Sequence, residues 1–239
     1  MSIEAQTELE RLSTIAADSW YANGSNGAMV RYSAKVLRPY WHGTTCLELG
    51  PAEGLMTASL AETFPSLTLV DGSEQFAESL RKRYPSATVV QSLFEAYEPT
   101  QHFDTIVLGH VLEHVDNPRA LLAKARGWLA DGGNLCAVVP NAMSIHRQAA
   151  VLMGLLQDVH QMNDTDRHHG HRRVYDPDSF QADFHAAGLT IKASGGYWIK
   201  PLSMAQIDSS WTPGMLDAFM QLGERYPDIA AEIYVIAGA

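Results

Sequence analysis

A doubly wound α/β domain is the fold this sequence predicts, on three observations. From Thr44 onward, short apolar runs alternate with segments of helical character, the pattern of parallel strands joined by crossover helices. The first run passes through a turn holding Gly50 and Gly54 before the first helix of that series, where an open α/β sheet places its ligand turn. The chain has 239 residues, 46% of them hydrophobic, enough for one complete core.

Taken in order, Leu9, Leu12, Ile15 and Ala16 recur at helical spacing and predict an amphipathic N-terminal helix. Residues 19–27, rich in Asn and Gly, read as looser chain. The strand runs are 45–49, 67–70, 87–90, 103–108 and 134–139, with helices expected over 54–63, 73–84 and 117–129. Asn117-Pro118 supplies a capping side chain and a first-turn proline, and Asp131-Gly132-Gly133 a stop. Residues 140–173 carry few strand signals and many His, Asp and Arg, which suggests an insertion lying over the sheet. Asp176-Pro177 caps a helix to about residue 187, residues 189–194 read as a strand, Thr212-Pro213 caps a last helix, and 231–237 closes as a strand. The whole reads as a single domain: a helical cover over 1–43, a ligand-binding core over 44–139, a lid-like insertion over 140–175, and the rest of the sheet over 176–239.

The net charge of −10 repels phosphate backbones and argues against a nucleic-acid partner. Cys46 and Cys136 both fall in strand-like apolar runs and read as small core residues in a reducing compartment. The N-terminus lacks the apolar core of a signal peptide, and no run approaches the length of a membrane span. A soluble cytoplasmic protein without membrane association is expected; the sequence carries no signal for an oligomeric state.

The stretch "CLELGPAEGLM", residues 46–56, carries the first chemistry. A dinucleotide fingerprint needs glycine at the first, third and sixth places of the turn, which here hold Gly50, Ala52 and Leu55. Leu55, with Glu53 nearby, fits a pyrophosphate badly. Glu48 and Glu53 suit a ligand that has a positive group and no phosphate.

Glu48-Leu49-Gly50-Pro51-Ala52-Glu53-Gly54 resembles the E/D-x-G-x-G-x-G motif of class I S-adenosylmethionine-dependent methyltransferases, with alanine at the middle glycine. The resemblance continues through "LVDGS", "QSLFEAY", "FDTIVLGHVLEHVDNP" and "LADGGNLCAVVPN", covering about residues 44–141. The fourth-strand segment is similar to that of the small-molecule branch containing ubiquinone-pathway O-methyltransferases. The resemblance implies a Rossmann-like seven-stranded sheet with the last strand antiparallel beside the sixth, and S-adenosylmethionine across the carboxyl ends of strands one to four. It implies cofactor contacts from Glu48, Gly50, Ala52 and Gly54, from Asp71 with Gly72 and Ser73, from Leu93 and Phe94 flanking the adenine, and from His110 beside the methionine part. A carboxylate such as Asp71 can accept two hydrogen bonds from a ribose diol; the plainer reading of Asp71 is a helix cap, and of Phe94 a core aromatic.

Methyl transfer to oxygen needs in-line positioning and removal of a proton, for which histidine is the usual base. "GHVLEHV" offers His110, Glu113 and His114, with His114 expected at the acceptor as base or packing against it. Some relatives bind a divalent metal through E-x-x-E-H here; His110 replaces the first glutamate, so that magnesium-type site is not expected, while His110, Glu113 and His114 could still hold a transition metal. "HQMNDTDRHHGHRRVYD", residues 160–176, matches no closed zinc signature. It reads as a lid with Arg172 or Arg173 structural and His171 facing the pocket as a second catalytic candidate. Tyr21, Arg31 and Tyr32 on the N-terminal side, and His146 and His168 on the other, are expected to contact a small-molecule acceptor. Tyr197, with Trp198 and Met204, fits equally a pocket wall or a cover over the sheet edge.

Overall fold

The computed structural model describes residues 3–18 and 22–239. Seven strands form one sheet in the order β3-β2-β1-β4-β5-β7-β6. They are β1 (Thr45–Leu49), β2 (Ser66–Asp71), β3 (Thr88–Gln91), β4 (Phe103–Gly109), β5 (Leu129–Pro140), β6 (Thr190–Tyr197) and β7 (Glu232–Gly238). β1 to β5 pair in parallel, and β7 inserts antiparallel between β5 and β6. This is the seven-stranded arrangement expected. β1 and β4 are apolar along most of their length, with Leu47, Leu49, Ile106, Val107 and Leu108 fully buried, as central parallel strands covered on both faces must be.

The helices α3 (Leu55–Thr63), α4 (Glu74–Arg83), α5 (Pro118–Trp128), α8 (Pro177–Ala186) and α10 (Pro213–Arg225) fall where the sequence predicts helices. Their starts follow local chemistry: Ser73, Asn117, Asp176 and Thr212 each accept a backbone N–H in the first turn. The first stop is different from the one expected. α5 ends at Trp128, and Asp131-Gly132-Gly133 lies inside β5, where the register jumps from Phe103↔Leu129 to Thr105↔Asn134. With φ +76° at Gly132, the two glycines absorb a bulge rather than end a helix.

Before the sheet lie α1 (Ile3–Ala17) and α2 (Gly24–Leu37), the latter beginning inside the stretch expected to be loose. The 140–175 segment contains α6 (Ile145–Leu152) and α7 (Asp164–His168), and α9 (Met204–Ser210) follows β6. Cys46 and Cys136 are free and buried. No helix among the described residues is long and apolar enough to cross a membrane.

Candidate active site

A cavity of about 920 Å³ runs along the carboxyl ends of the strands, near the upper end of the ~300–1,000 Å³ range of ligand pockets and roomy enough for two ligands side by side. Its floor comes from the turns after β1, β2, β3 and β4, and its far end from the starts of α6 and β7 and from the loop around α7. Leu12 and Ile15 of α1 and Met29 and Val30 of α2 line it from above.

At the β1–β2 end the backbone is shaped around Asp71. The Asp71 carboxylate accepts the Ser73 N–H at 2.8 Å and the Ala52 N–H at 3.1 Å, so it ties both turns together and keeps lone pairs toward the cavity. Burial pushes its pKa up, against the pull of those two N–H groups, to about 6. Gly50 has φ +67°, and a Cβ there would lie 2.8 Å from Val111 Cγ2. Only glycine fits both the conformation and the space. Ala52 holds φ +47° without that freedom, a strained position of the sort that clusters at ligand sites. Glu48 sits beneath the turn, 3% exposed, sharing a 2.6 Å hydrogen bond with Thr57; burial pushes its pKa up to about 8. Gly72 and Ser73 line the cavity beneath α1, and a Cβ on Gly72 would lie 2.5 Å from Leu12 Cδ1. Leu93 and Phe94 line the same end. Gly54 is absent from the wall: it caps α3 at φ +72° and packs against Leu80 and Tyr84.

The far end is a cluster of imidazoles and carboxylates. His110, at φ +57°, lies with Nδ1 3.6 Å from Glu113 and 3.8 Å from Glu232. Burial opposes its charge, but contact with Glu113 and the two carboxylate fields prevail, so its pKa stands above the ordinary value. Glu113 is 1% exposed with neither carboxylate oxygen hydrogen-bonded. Burial pushes its pKa up, yet the surrounding imidazoles hold it below the ordinary carboxylate range. His114 Nε2 stands 3.9 Å from Glu113; burial pulls its pKa down to about 4, more than the Glu113 charge restores. The His114 and His171 rings meet edge to face with centroids 4.8 Å apart.

His171 is held from its other side. Its Nδ1 lies 3.5 Å from Asp166 Oδ1, and its backbone N–H donates to the Asp166 carbonyl at 2.9 Å. Asp166 is fixed in turn by Arg147 at 3.1 Å and by the Asn163 N–H at 2.9 Å, which closes the capping box of α7. The two arginines after His171 anchor the loop to the turn following β4. Arg172 donates to the His114 carbonyl and pairs with Asp116 and with Glu8 of α1. Arg173 donates to the carbonyls of Leu112, Val115 and Asp116. "HRR" is thus one catalytic candidate followed by two fasteners.

Several expected acceptor contacts lie elsewhere. Tyr21 falls outside the described residues. Arg31 is exposed and off the cavity wall. Tyr32 is buried, with its hydroxyl turned to Glu224 of α10. His168 is exposed near Asp18, and Tyr197 is wholly buried with its hydroxyl against Met29 Sδ. Each sits on the face of its element that turns away from the cavity, which corrects the expectation for these four. His146 does line the cavity, with Nδ1 unpartnered; burial, then the charges of Lys200 and Arg147, push its pKa down to about 2. Sequence reasoning missed Asn26, Arg147, Lys200 and Glu232 as wall residues; none stands in a motif. The Glu113, His114 and His171 ligand atoms lie within 4.8 Å of one another, a spacing that could hold a metal ion.

Residues 7–194 match the family described as "Methyltransferase domain". An uncharacterized methyltransferase of Mycobacterium tuberculosis (strain ATCC 25618 / H37Rv) is 30% identical over 100 residues, covering 40% of this chain and 51% of its own length. A ubiquinone biosynthesis O-methyltransferase of Xanthomonas campestris pv. campestris (strain B100) is 27% identical over 141 residues, covering 54% and 59%. The chain therefore spans about half the length of the curated relatives it matches. The N-methyltransferase NodS of Bradyrhizobium japonicum WM9, solved with S-adenosyl-L-homocysteine, shares the fold with TM-score 0.59 at 15% identity over 98% of this chain and 97% of that one. A possible histamine N-methyltransferase of Thermotoga maritima gives TM-score 0.62 at 14% identity, covering 98% and 95%.

Proposed function

Because this chain belongs to the methyltransferase-domain family and has the fold of a class I S-adenosylmethionine-dependent methyltransferase, we propose that it methylates a small-molecule acceptor held inside the cavity. Oxygen is favoured over nitrogen as the atom methylated, with a histidine taking the proton. S-Adenosylmethionine supplies a methyl group on a sulfonium, whose leaving group is neutral and good. What this chain must add is position and a proton acceptor.

The residues present fit that cofactor. Asp71 offers free lone pairs for a ribose diol, Leu93 and Phe94 offer apolar faces to an adenine, and the turn from Gly50 to Ala52 leaves backbone bare toward the cavity. His110 and the Glu48 turn would border the methionine part. α1 and the α7 loop, joined through Glu8 and Arg172, would close over the acceptor and exclude water.

Both His114 and His171 are candidates for the base. The Asp166 carboxylate beside Nδ1 favours His171, because it fixes the tautomer that leaves the Nε2 lone pair free and stabilises the imidazolium once formed. Glu113, ionised and without a hydrogen bond, would lower the energy of a positive charge near either ring. Such a charge is present before transfer on the sulfonium and afterwards on the imidazole, so one fixed carboxylate serves both states.

The observation that carries the reading is continuity: one cavity is lined by both Asp71 and His171. Single-turnover methyl transfer, paired with cofactor titration, tests it. Against the best acceptor from a small-molecule pool, removing the base should lower the rate by about 10²–10⁴ and leave cofactor affinity within a few-fold. His171→Ala is expected to show that loss and His114→Ala less. Wild-type rates for both variants, or methylation of peptides but no small molecule, would refute the proposal.

A further inference from the structure

Among the described residues, the cations lining the cavity are matched to carboxylates with one exception. Arg11 pairs with Glu8 at 2.6 Å and Arg147 with Asp166 at 3.1 Å. His110 stands between Glu113 and Glu232. Lys200 lines the same cavity, and no carboxylate among the described residues lies within 4 Å of its ammonium, which rests 5.1 Å from the Trp198 ring centre. The charges of Glu232 and Asp166 reach it only from beyond that distance, and a largely enclosed lysine with no anion in contact is rare in folded proteins because its charge is expensive to desolvate. Burial accordingly pushes the Lys200 pKa down.

Its placement is built into the backbone. Trp198, two residues earlier, has φ +71°, a conformation that a bulky side chain adopts only where the surroundings impose it. Trp198 is locked there by backbone hydrogen bonds to Met220 and from Ala231. Ala52, His110 and Trp198 are the three non-glycine residues with positive φ among the described residues. The first two line the cavity, and the third directs the segment that brings Lys200 into it. Beside Lys200 lies His146, fully neutral at physiological pH and with Nδ1 lacking a partner. Lys200 follows β6 and His146 follows β5, whereas Asp71 ends β2 near the opposite edge of the sheet. This corner therefore belongs to the acceptor end.

Resting on the methyltransferase reading above, we infer that the acceptor is an acid: a hydroxyl compound whose carboxylate docks on Lys200 and His146 while its hydroxyl faces His114 and His171. The carboxylate supplies the missing counter-charge and accepts hydrogen bonds from the ammonium. The hydroxyl directs its one proton to the imidazole that acts as base. The same site discriminates against neutral analogues, which would leave Lys200 desolvated and unpaired.

The test uses the full chain loaded with S-adenosyl-L-homocysteine, whose own binding heat is recorded first. Absence of that heat would sink the cofactor reading, and it is measured apart from the carboxylate preference. Sodium benzoate and butyrate are then titrated against benzamide and butyramide. The carboxylates should bind at least tenfold more tightly than their amides. Lys200→Met should erase that preference, and Lys200→Arg should keep it within about threefold. If Lys200→Met does not fold, Lys200→Gln takes its place, and the carboxylate–amide contrast in the wild type stands without any variant. Equal binding of acid and amide, no binding of either, or a preference that survives Lys200→Met overturns the inference. So does a methylation screen of hydroxy acids and their matched amides in which only the amides react.

Discussion

Asp71 makes the cofactor end of the cavity sensitive to pH in a direction that can be worked out in advance. Its carboxyl titrates near 6 in the folded chain, raised from an ordinary 3.8 by burial. The ionised form accepts hydrogen bonds from the ribose hydroxyls more strongly than the protonated one, so the cofactor binds that form better and lowers the pKa on binding. At pH 7.5 Asp71 is almost wholly ionised; at pH 5 about one molecule in eleven is, so affinity should fall about tenfold between them. Unliganded stability must move the opposite way. A carboxyl whose folded pKa lies above its unfolded value takes up a proton on folding, so its contribution grows as pH falls from about 6 toward 3.8. Loss of cofactor at pH 5 would therefore not be unfolding caused by this group. Asp71→Asn removes the charge and one acceptor oxygen, so its NH2 faces either the Ser73 or the Ala52 N–H. It should cost at least about 2–3 kcal/mol, ~30–150-fold in affinity, as charge-assisted bonds are weakened or lost, and it should flatten the pH dependence. Calorimetric titration of S-adenosyl-L-homocysteine at pH 5, 6 and 7.5 measures both effects. A flat wild-type profile, or an unchanged slope in Asp71→Asn, would refute the assignment.

Three further outcomes are expected. Glu48 titrates near 8 when folded against an ordinary 4.5, so between those values folding must take up a proton, at about 3 kcal/mol by pH 7. Glu48→Gln should recover much of this at pH 7 in urea unfolding, and none below pH 4.5; a gain independent of pH would show that burial of the charge is not the cause. Gly50→Val meets both a positive φ and Val111 at 2.8 Å, so cofactor binding measured by calorimetry should be lost. Activity should survive thorough chelation, because position and a base suffice. Loss on chelator treatment with rescue by a divalent ion would instead make Glu113, His114 and His171 ligands.

The parts of this molecule that sequence reveals are those whose chemistry is local. The glycine turn after β1, the placement of Asp71 at the end of β2 and the helix caps at Asn117, Asp176 and Thr212 are each decided within a few residues, and their local structure forms as expected. Residues assigned to the acceptor fare differently because their assignment depends on which way an element faces. Tyr32 shares α2 with the cavity-lining Met29 and Val30 and instead meets Glu224 of α10. Tyr197 alternates to the buried side of β6. Glu232 and Lys200 carry no motif at all, since they reach the cavity only through the insertion of β7 between β5 and β6. One signal was available: Lys200, three residues past the end of β6 and preceded by the apolar Tyr197, Trp198 and Ile199, has to go somewhere polar.

The proposed acceptor end would also set how strongly the site discriminates. Asn26 Nδ2, His110 Nε2, both Glu113 oxygens, His146 Nδ1 and Glu232 Oε2 are buried in the cavity wall without hydrogen-bond partners. These atoms lie just behind the accessible wall, so an acceptor that shifts the wall to reach one must pair with it or leave it unpaired at about 1–3 kcal/mol. A wall of this kind gains little from apolar bulk and loses heavily on a missing hydroxyl, the asymmetry by which polar sites reject deoxy analogues. Removing the one hydroxyl or carboxylate that meets the imidazole base or Lys200 should therefore lower kcat/KM by tenfold or more, whereas adding or removing a methylene on the side facing Met29 and Val30 should change it by less. Measuring kcat/KM over such a pair of analogue series decides the point, and a series in which apolar changes dominate would mean that the polar end faces the cofactor and not the acceptor.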